Sequence, residues 1–86
     1  MDSALAALLD PRGRVIRWPS KLAQRQAVLA YLAERFETGI EYSEREVNDV
    51  ILDWTTFGDF SLLRRELCAE RHLARTTDGS KYWLSG

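Results

Sequence analysis

The sequence contains few of the residues from which disulfides, metal centres and membrane spans are built. Its 86 residues include a single cysteine, Cys68, and a single histidine, His72. One cysteine cannot close an intramolecular disulfide, and a structural metal needs more ligands than these two side chains provide. The chain has neither a long apolar run nor a basic leader. We therefore expect a soluble, cytoplasmic protein with no signal peptide, membrane contact, metal or cofactor.

Catalytic patterns are equally scarce. Cys68 and His72 have no evident third group to orient them as a nucleophile and its base. Gly39, Gly58 and Gly79 are isolated in the sequence, whereas a phosphate-binding loop needs clustered glycines. We expect no catalytic residues and no small-molecule ligand.

The apolar content is sufficient for one folded domain. Hydrophobic residues make up 45% of the chain, and no repeat or low-complexity linker divides it. Residues 1–10 resemble a short helical arm that ends at the turn-forming Asp10-Pro11. Residues 11–86 are expected to form the domain, beginning with a short strand from Arg14 to Trp18.

Periodicity and capping signals predict three main helices. The first extends from Ser20 to Gly39, and its apolar positions share one face: Leu22, Val28, Leu29, Leu32, Ala33 and Phe36. Before the second helix, Ser43 and Glu46 form a capping box, with Tyr42 and Val47 as its hydrophobic staple. The buried face of this helix is predicted to contain Val47, Val50, Ile51 and Trp54. Asp59 is the expected N-cap of the third helix, whose core face is Phe60, Leu63 and Leu67.

A β-hairpin is predicted after the third helix. Asp78-Gly79 indicates a two-residue turn, which pairs Thr77 with Ser80 and continues as four further cross-strand pairs: Thr76 with Lys81, Arg75 with Tyr82, Ala74 with Trp83, and Leu73 with Leu84. Tyr82 and Trp83 are expected to complete the core. Helices followed by a hairpin predict an α+β fold of the winged helix-turn-helix type.

Several short motifs carry a family resemblance between residues 11 and 84. They are Gly13-Arg14-Val15-Ile16, Trp18-Pro19-x-Lys21, Tyr42-Ser43-Glu44-x-Glu46-Val47-Asn48, Leu63-Arg64-Arg65-Glu66-Leu67 and Asp78-Gly79-Ser80-x-Tyr82-Trp83. In this order they resemble the bacterial domain of unknown function family 2087. Members of that family occur alone or attached to helix-turn-helix transcriptional regulators, so the resemblance implies a regulatory role. It implies no catalytic residue.

The third helix is the candidate for reading double-stranded DNA. With its apolar face inward, Ser61, Leu62, Arg65 and Ala69 point outward. Arg65 can contact a guanine edge or a phosphate, and Ser61 can contact a phosphate. Arg64 lies nearer the core side, where we expect its stem to lie on Phe60 and its charge to pair with an acid.

Two further groups of bases are candidates for phosphate contact. Arg75 and Lys81 stand near the tip of the predicted hairpin. Residues 11–25 contain no acid, and their bases are Arg12, Arg14, Arg17, Lys21 and Arg25. This basic segment can follow a phosphate backbone. It can equally neutralise the acidic second helix, within one molecule or across a dimer, through Glu44, Glu46, Asp49 and Asp53.

A protein-interaction module is the alternative function. An outward Leu62 beside Ala69 suits a protein partner or a homodimer better than a charged DNA groove. Trp18, next to Pro19, would add to such a surface if its strand lies at an edge. Replacing Arg65 or Leu62 should therefore separate the two hypotheses.

Overall fold

A computed structural model of the protein describes residues 3–85. In chain order its helices and strands are α1 (Ser3–Ala6), α2 (Leu22–Ala33), α3 (Glu44–Asp53), α4 (Phe60–Ala69), β1 (Leu73–Arg75) and β2 (Tyr82–Leu84). The core is a single cluster of side chains, and its fully buried members include Leu8, Val15, Val28, Leu29, Leu32, Val47, Ile51, Leu63, Leu67 and Leu73. Leu5 of α1 packs against this cluster, which also contains Leu73 and Tyr82, so α1 and the hairpin share one core.

The first main helix, α2, is shorter than the sequence predicts. Its buried residues are Val28, Leu29 and Leu32, as expected. The prediction is wrong for Leu22, which is 65% exposed because it opens the helix a turn and a half before the core begins. The helix also ends at Ala33 rather than near Gly39, although Phe36 beyond it is buried.

The predicted N-caps of α3 and α4 are both present. Ser43 accepts a bond from the amide of Glu46 at 3.1 Å, and the Glu46 carboxylate accepts one from the amide of Ser43 at 2.8 Å. The carboxylate of Asp59 accepts a bond from the amide of Leu62 at 3.4 Å. These bonds satisfy helix amides that have no partner within their helix, and they fix where each helix begins.

The register of the hairpin is confirmed, but its turn differs from the prediction. Leu73 pairs with Leu84, Ala74 with Trp83 and Arg75 with Tyr82. Thr77 and Ser80 do not pair; the last hydrogen bond runs from the amide of Thr76 to the carbonyl of Lys81, 3.0 Å away. The loop therefore extends from Thr77 to Ser80. It is longer than the predicted loop by one residue on each side, so the predicted register of the strands is unchanged.

Polar bonds explain the longer turn. The Asp78 carboxylate accepts bonds from the Thr76 hydroxyl at 2.8 Å and from the amide of Ser80 at 3.0 Å. These bonds lower the pKa of Asp78 from 3.8 to about 2, the Thr76 hydroxyl having the largest effect. Only Gly79 needs a left-handed backbone here, with φ at +73°. Asp78 can thus keep a negative φ, which the predicted turn would not have allowed.

A contact that the sequence does not reveal makes the hairpin three-stranded at one point. Tyr42, before α3, pairs antiparallel with Tyr82 through two N–H to carbonyl bonds of 2.7 Å. The order α2, Tyr42, α3, α4, β1, β2 gives a small α+β fold with a winged-helix-like arrangement, as predicted. Tyr82 is buried as expected, but Trp83 alternates to the opposite face and is half-buried.

The predicted strand from Arg14 to Trp18 is reduced to bridges at Val15. This residue pairs with Leu9 on one side and with Thr55, beyond α3, on the other. Both neighbours are single loop residues, so no longer ladder forms. Val15 is fully buried, and Ile16, which points the opposite way, is 40% exposed.

Candidate nucleic-acid interface

A groove separates the outward face of α4 from strand β1. Its volume is about 540 Å³, and its lining is Glu44, Ser61, Arg64, Arg65, Cys68, Ala69, Arg75 and Tyr82. The groove thus joins three elements: the start of α3, the exposed face of α4 and the hairpin. In a winged helix these positions belong to the recognition helix and the wing, which contact the DNA groove and backbone.

The periodicity of α4 explains which residues reach this groove. Leu63 and Leu67 are buried in the core, while Ser61, Arg65 and Ala69 are exposed. The exposed residues are spaced four apart, which aligns them along one side of a helix. Three of the four residues predicted to point outward are therefore exposed, whereas Leu62 is half-buried. Arg75 on β1 stands across the groove from them.

Arg65 and Arg75 are the free cations of the groove. Both are exposed, and neither side chain makes an ion pair or hydrogen bond within residues 3–85. Two uncompensated guanidinium groups on one concave surface attract an anion, and each can form two parallel bonds to a phosphate.

Arg64 differs from these two arginines. Its Nη2 lies 2.9 Å from the Glu44 carboxylate, and it also donates to the side-chain oxygen of Asn48. The predicted pairing of Arg64 with an acid is confirmed. That this acid is Glu44 could not be predicted, because the contact joins two helices whose packing is not evident from the sequence.

Lys81 lies outside the groove lining. Its ammonium group is 3.5 Å from the Glu41 carboxylate, and both side chains are more than half exposed. An exposed pair of this kind contributes little to stability. Lys81 therefore remains available near the wing, with its charge partly offset by Glu41.

The basic segment, residues 11–25, does not line the groove. Arg14 is bound to the Asp10 carboxylate at 2.8 Å, and the backbone amide of Arg14 is the largest cause that lowers the pKa of Asp10. Arg25 donates to the carbonyl of Pro19 at 2.7 Å, and its guanidinium carbon lies 5.3 Å from the ring centre of Trp18. These two arginines therefore have local structural partners.

The remaining bases of the segment are exposed. They are Arg12, Arg17 and Lys21, and none makes an ion pair in the described part of the chain. The predicted neutralisation of the α3 acids within one molecule is thus not formed among residues 3–85. Neutralisation across a dimer stays a prediction, as does contact with a phosphate backbone.

The residues predicted for protein contact are scattered. Trp18 is half-buried and packs against the core, Leu62 is half-buried on α4, and Ala69 is exposed in the groove. Leu22, which periodicity placed on the core face of α2, and Leu52 are larger exposed apolar side chains.

Cys68 also borders the groove. Burial raises the pKa of its thiol, an effect that Arg75 and Arg64 partly offset. Between residues 3 and 85, no group of three or more histidine, cysteine or acidic side chains is placed to hold a metal ion. In the same range, no helix is both long enough and apolar enough to cross a membrane.

Comparison with known proteins identifies the family of the chain. Searches of curated proteins and of solved structures gave no match. Residues 14–84 match the bacterial family described as "uncharacterized protein conserved in bacteria (DUF2087)". Since the match covers most of the sequence, the chain belongs to this family, domain of unknown function family 2087.

Proposed function

We propose that this protein is a non-catalytic, DNA-binding winged-helix module that acts in transcriptional regulation. One observation carries the proposal: Arg65 of α4 and Arg75 of β1 line the same groove, exposed and without an internal partner. These are the positions from which a recognition helix and a wing contact DNA.

The residues divide into two roles. Arg65 enters the major groove, where its fork matches the acceptor atoms of guanine, and Ser61 nearer the helix start meets a phosphate. Arg75 and Lys81 contact the backbone from the wing and fix the orientation of the helix. Arg12, Arg14, Arg17, Lys21 and Arg25 supply a positive field that favours the encounter with DNA.

The test is fluorescence anisotropy of a labelled duplex titrated with the protein at low and near-physiological salt. Arg65→Ala should weaken binding at least about fivefold, because one bidentate contact is worth roughly 1–3 kcal/mol. Arg45→Ala is the matched control, since Arg45 is exposed on α3, lies outside the groove and makes no ion pair in residues 3–85. No binding at low salt would refute the proposal.

A second candidate is a protein-interaction or dimerisation module of the same shape. It is favoured by the exposed apolar side chains Ile16, Leu22, Ile40 and Leu52, together with half-buried Leu62. Under this function Leu62→Asp should abolish association, as measured by sedimentation, while Arg65→Ala should not. Gln26→Glu is the control for an unspecific effect of a new negative charge, because Gln26 is exposed on α2 and is not one of these apolar residues.

A further inference from the structure

A third cation of the groove, Arg64, is engaged in an ion pair and is less exposed than Arg65 and Arg75. The Arg64 guanidinium is 2.9 Å from the Glu44 carboxylate, and the side chains are 19% and 52% exposed, respectively. Glu44 thus presents a half-exposed negative charge on the same surface as Arg65 and Arg75. The side-chain oxygen of Asn48 also accepts a hydrogen bond from the Arg64 guanidinium, which fixes its position.

The carboxylate competes with phosphate for the same donor. A carboxylate and a phosphate both bind a guanidinium through oxygen atoms in a similar geometry. While Glu44 occupies Nη2, a phosphate that approaches this end of the groove meets a negative charge and an engaged arginine. Neutralising Glu44 would therefore remove the repulsion and release a donor.

We infer that Glu44 limits the affinity of the groove for nucleic-acid phosphates by keeping Arg64 from contacting them. The groove then binds phosphates through Arg65 and Arg75, while Arg64 stays paired with Glu44. This lowers sequence-independent binding, which depends on the number of phosphates neutralised. The inference rests on the proposed function, because it concerns the same groove.

Glu44→Gln tests the inference, since glutamine keeps the shape of the side chain and loses its charge. Binding of a labelled mixed-sequence duplex should tighten roughly five- to tenfold near ~0.1 M salt, and the slope of log K against log salt should steepen by about 0.9. Asp49→Asn is the matched control, because Asp49 is exposed on the same helix and does not line the groove. It should change affinity less than about twofold, as expected for a distant, screened charge.

A second comparison assigns the effect to Arg64. In the background of Arg64→Ala, Glu44→Gln should no longer steepen the salt slope, because the released donor is absent. Thermal unfolding of each variant identifies any loss of folded protein. Such a loss would lower the apparent affinity but would not steepen the slope of log K against log salt.

The outcomes distinguish failure of this inference from failure of the proposed DNA binding. A steeper slope for Glu44→Gln that needs Arg64 supports the inference. Binding by the natural protein with equal effects of Glu44→Gln and Asp49→Asn overturns the inference and keeps the function. Absence of binding by both the natural protein and Glu44→Gln overturns both.

Discussion

The two basic regions of the molecule differ in how their charges are used. In the basic segment, residues 11–25, Arg14 and Arg25 have internal partners that shape the local chain. In the groove, Arg65 and Arg75 have none within residues 3–85. The segment has the denser charge in the sequence, whereas the groove brings together two unpaired arginines from different elements.

Clustering of bases along the chain therefore does not predict which of them remain unpaired after folding. The segment contributes Val15 to the core and Arg14 to the turn that precedes it. The groove gathers one arginine from a helix and one from a strand, which only the fold places on one surface.

The largest effect is expected from removing both free cations of the groove. The double variant Arg65→Ala with Arg75→Ala should weaken duplex binding about a hundredfold and reduce the salt slope by about 2. The comparison variant, Arg12→Ala with Arg17→Ala, removes the same charge from the basic segment and should cost less than about tenfold. Anisotropy across a salt series measures both, and a larger loss in the segment variant would reverse the assignment.

The structural role of the basic segment can be tested separately through its buried residue. Val15 is fully buried, so Val15→Ala should lower the free energy of unfolding by roughly 1.5–3 kcal/mol. Ile16→Ala, at a neighbour that points outward, should cost less than about 1 kcal/mol. Urea unfolding gives both values, and equal costs would mean that the segment is not anchored through Val15.

A smaller effect is expected at the start of α3, which positions Glu44 at the groove. Ser43→Ala removes the side-chain cap and should cost about 1 kcal/mol. Ser20→Ala, before α2, is the control because Ser20 is exposed and makes no side-chain hydrogen bond in the described chain. Thermal unfolding measures both variants. Equal melting temperatures for Ser43→Ala and Ser20→Ala would contradict a stabilising cap at Ser43.

The smallest effect concerns the pH dependence of the wing. The folded pKa of Asp78 is about 2, below its ordinary 3.8, so ionised Asp78 stabilises the turn above pH 3.8. That contribution should be lost as pH falls from 3.8 through 2. Carboxyl chemical shifts in an acid titration report this pKa directly. A midpoint near 3.8 would show that the bonds from Thr76 and Ser80 do not hold the carboxylate.

Local signals made much of the fold predictable. Ser43 with Glu46 and Asp59 with Leu62 are contacts between residues three apart, so their pattern is legible in the sequence. The register of the hairpin also follows from local alternation, which places Tyr82 in the core.

Contacts between distant segments were not predictable. Tyr42 pairs with Tyr82, and Arg64 pairs with Glu44, only because packing brings their elements together. The predicted two-residue turn is wrong because side-chain hydrogen bonds of Asp78 outweigh the usual preference of Asp-Gly. The lining of the groove was predictable in part. Helix periodicity identified Ser61 and Arg65, but nothing in the sequence indicated that Glu44 lies beside them.

The most direct test of the central claim is an NMR titration of ¹⁵N-labelled protein with a short duplex. We predict the largest amide shift changes at Ser61, Arg65 and Arg75, and little change at Arg45. Changes concentrated in residues 11–25, or none at low salt, would contradict the account that the groove between α4 and the hairpin contacts DNA.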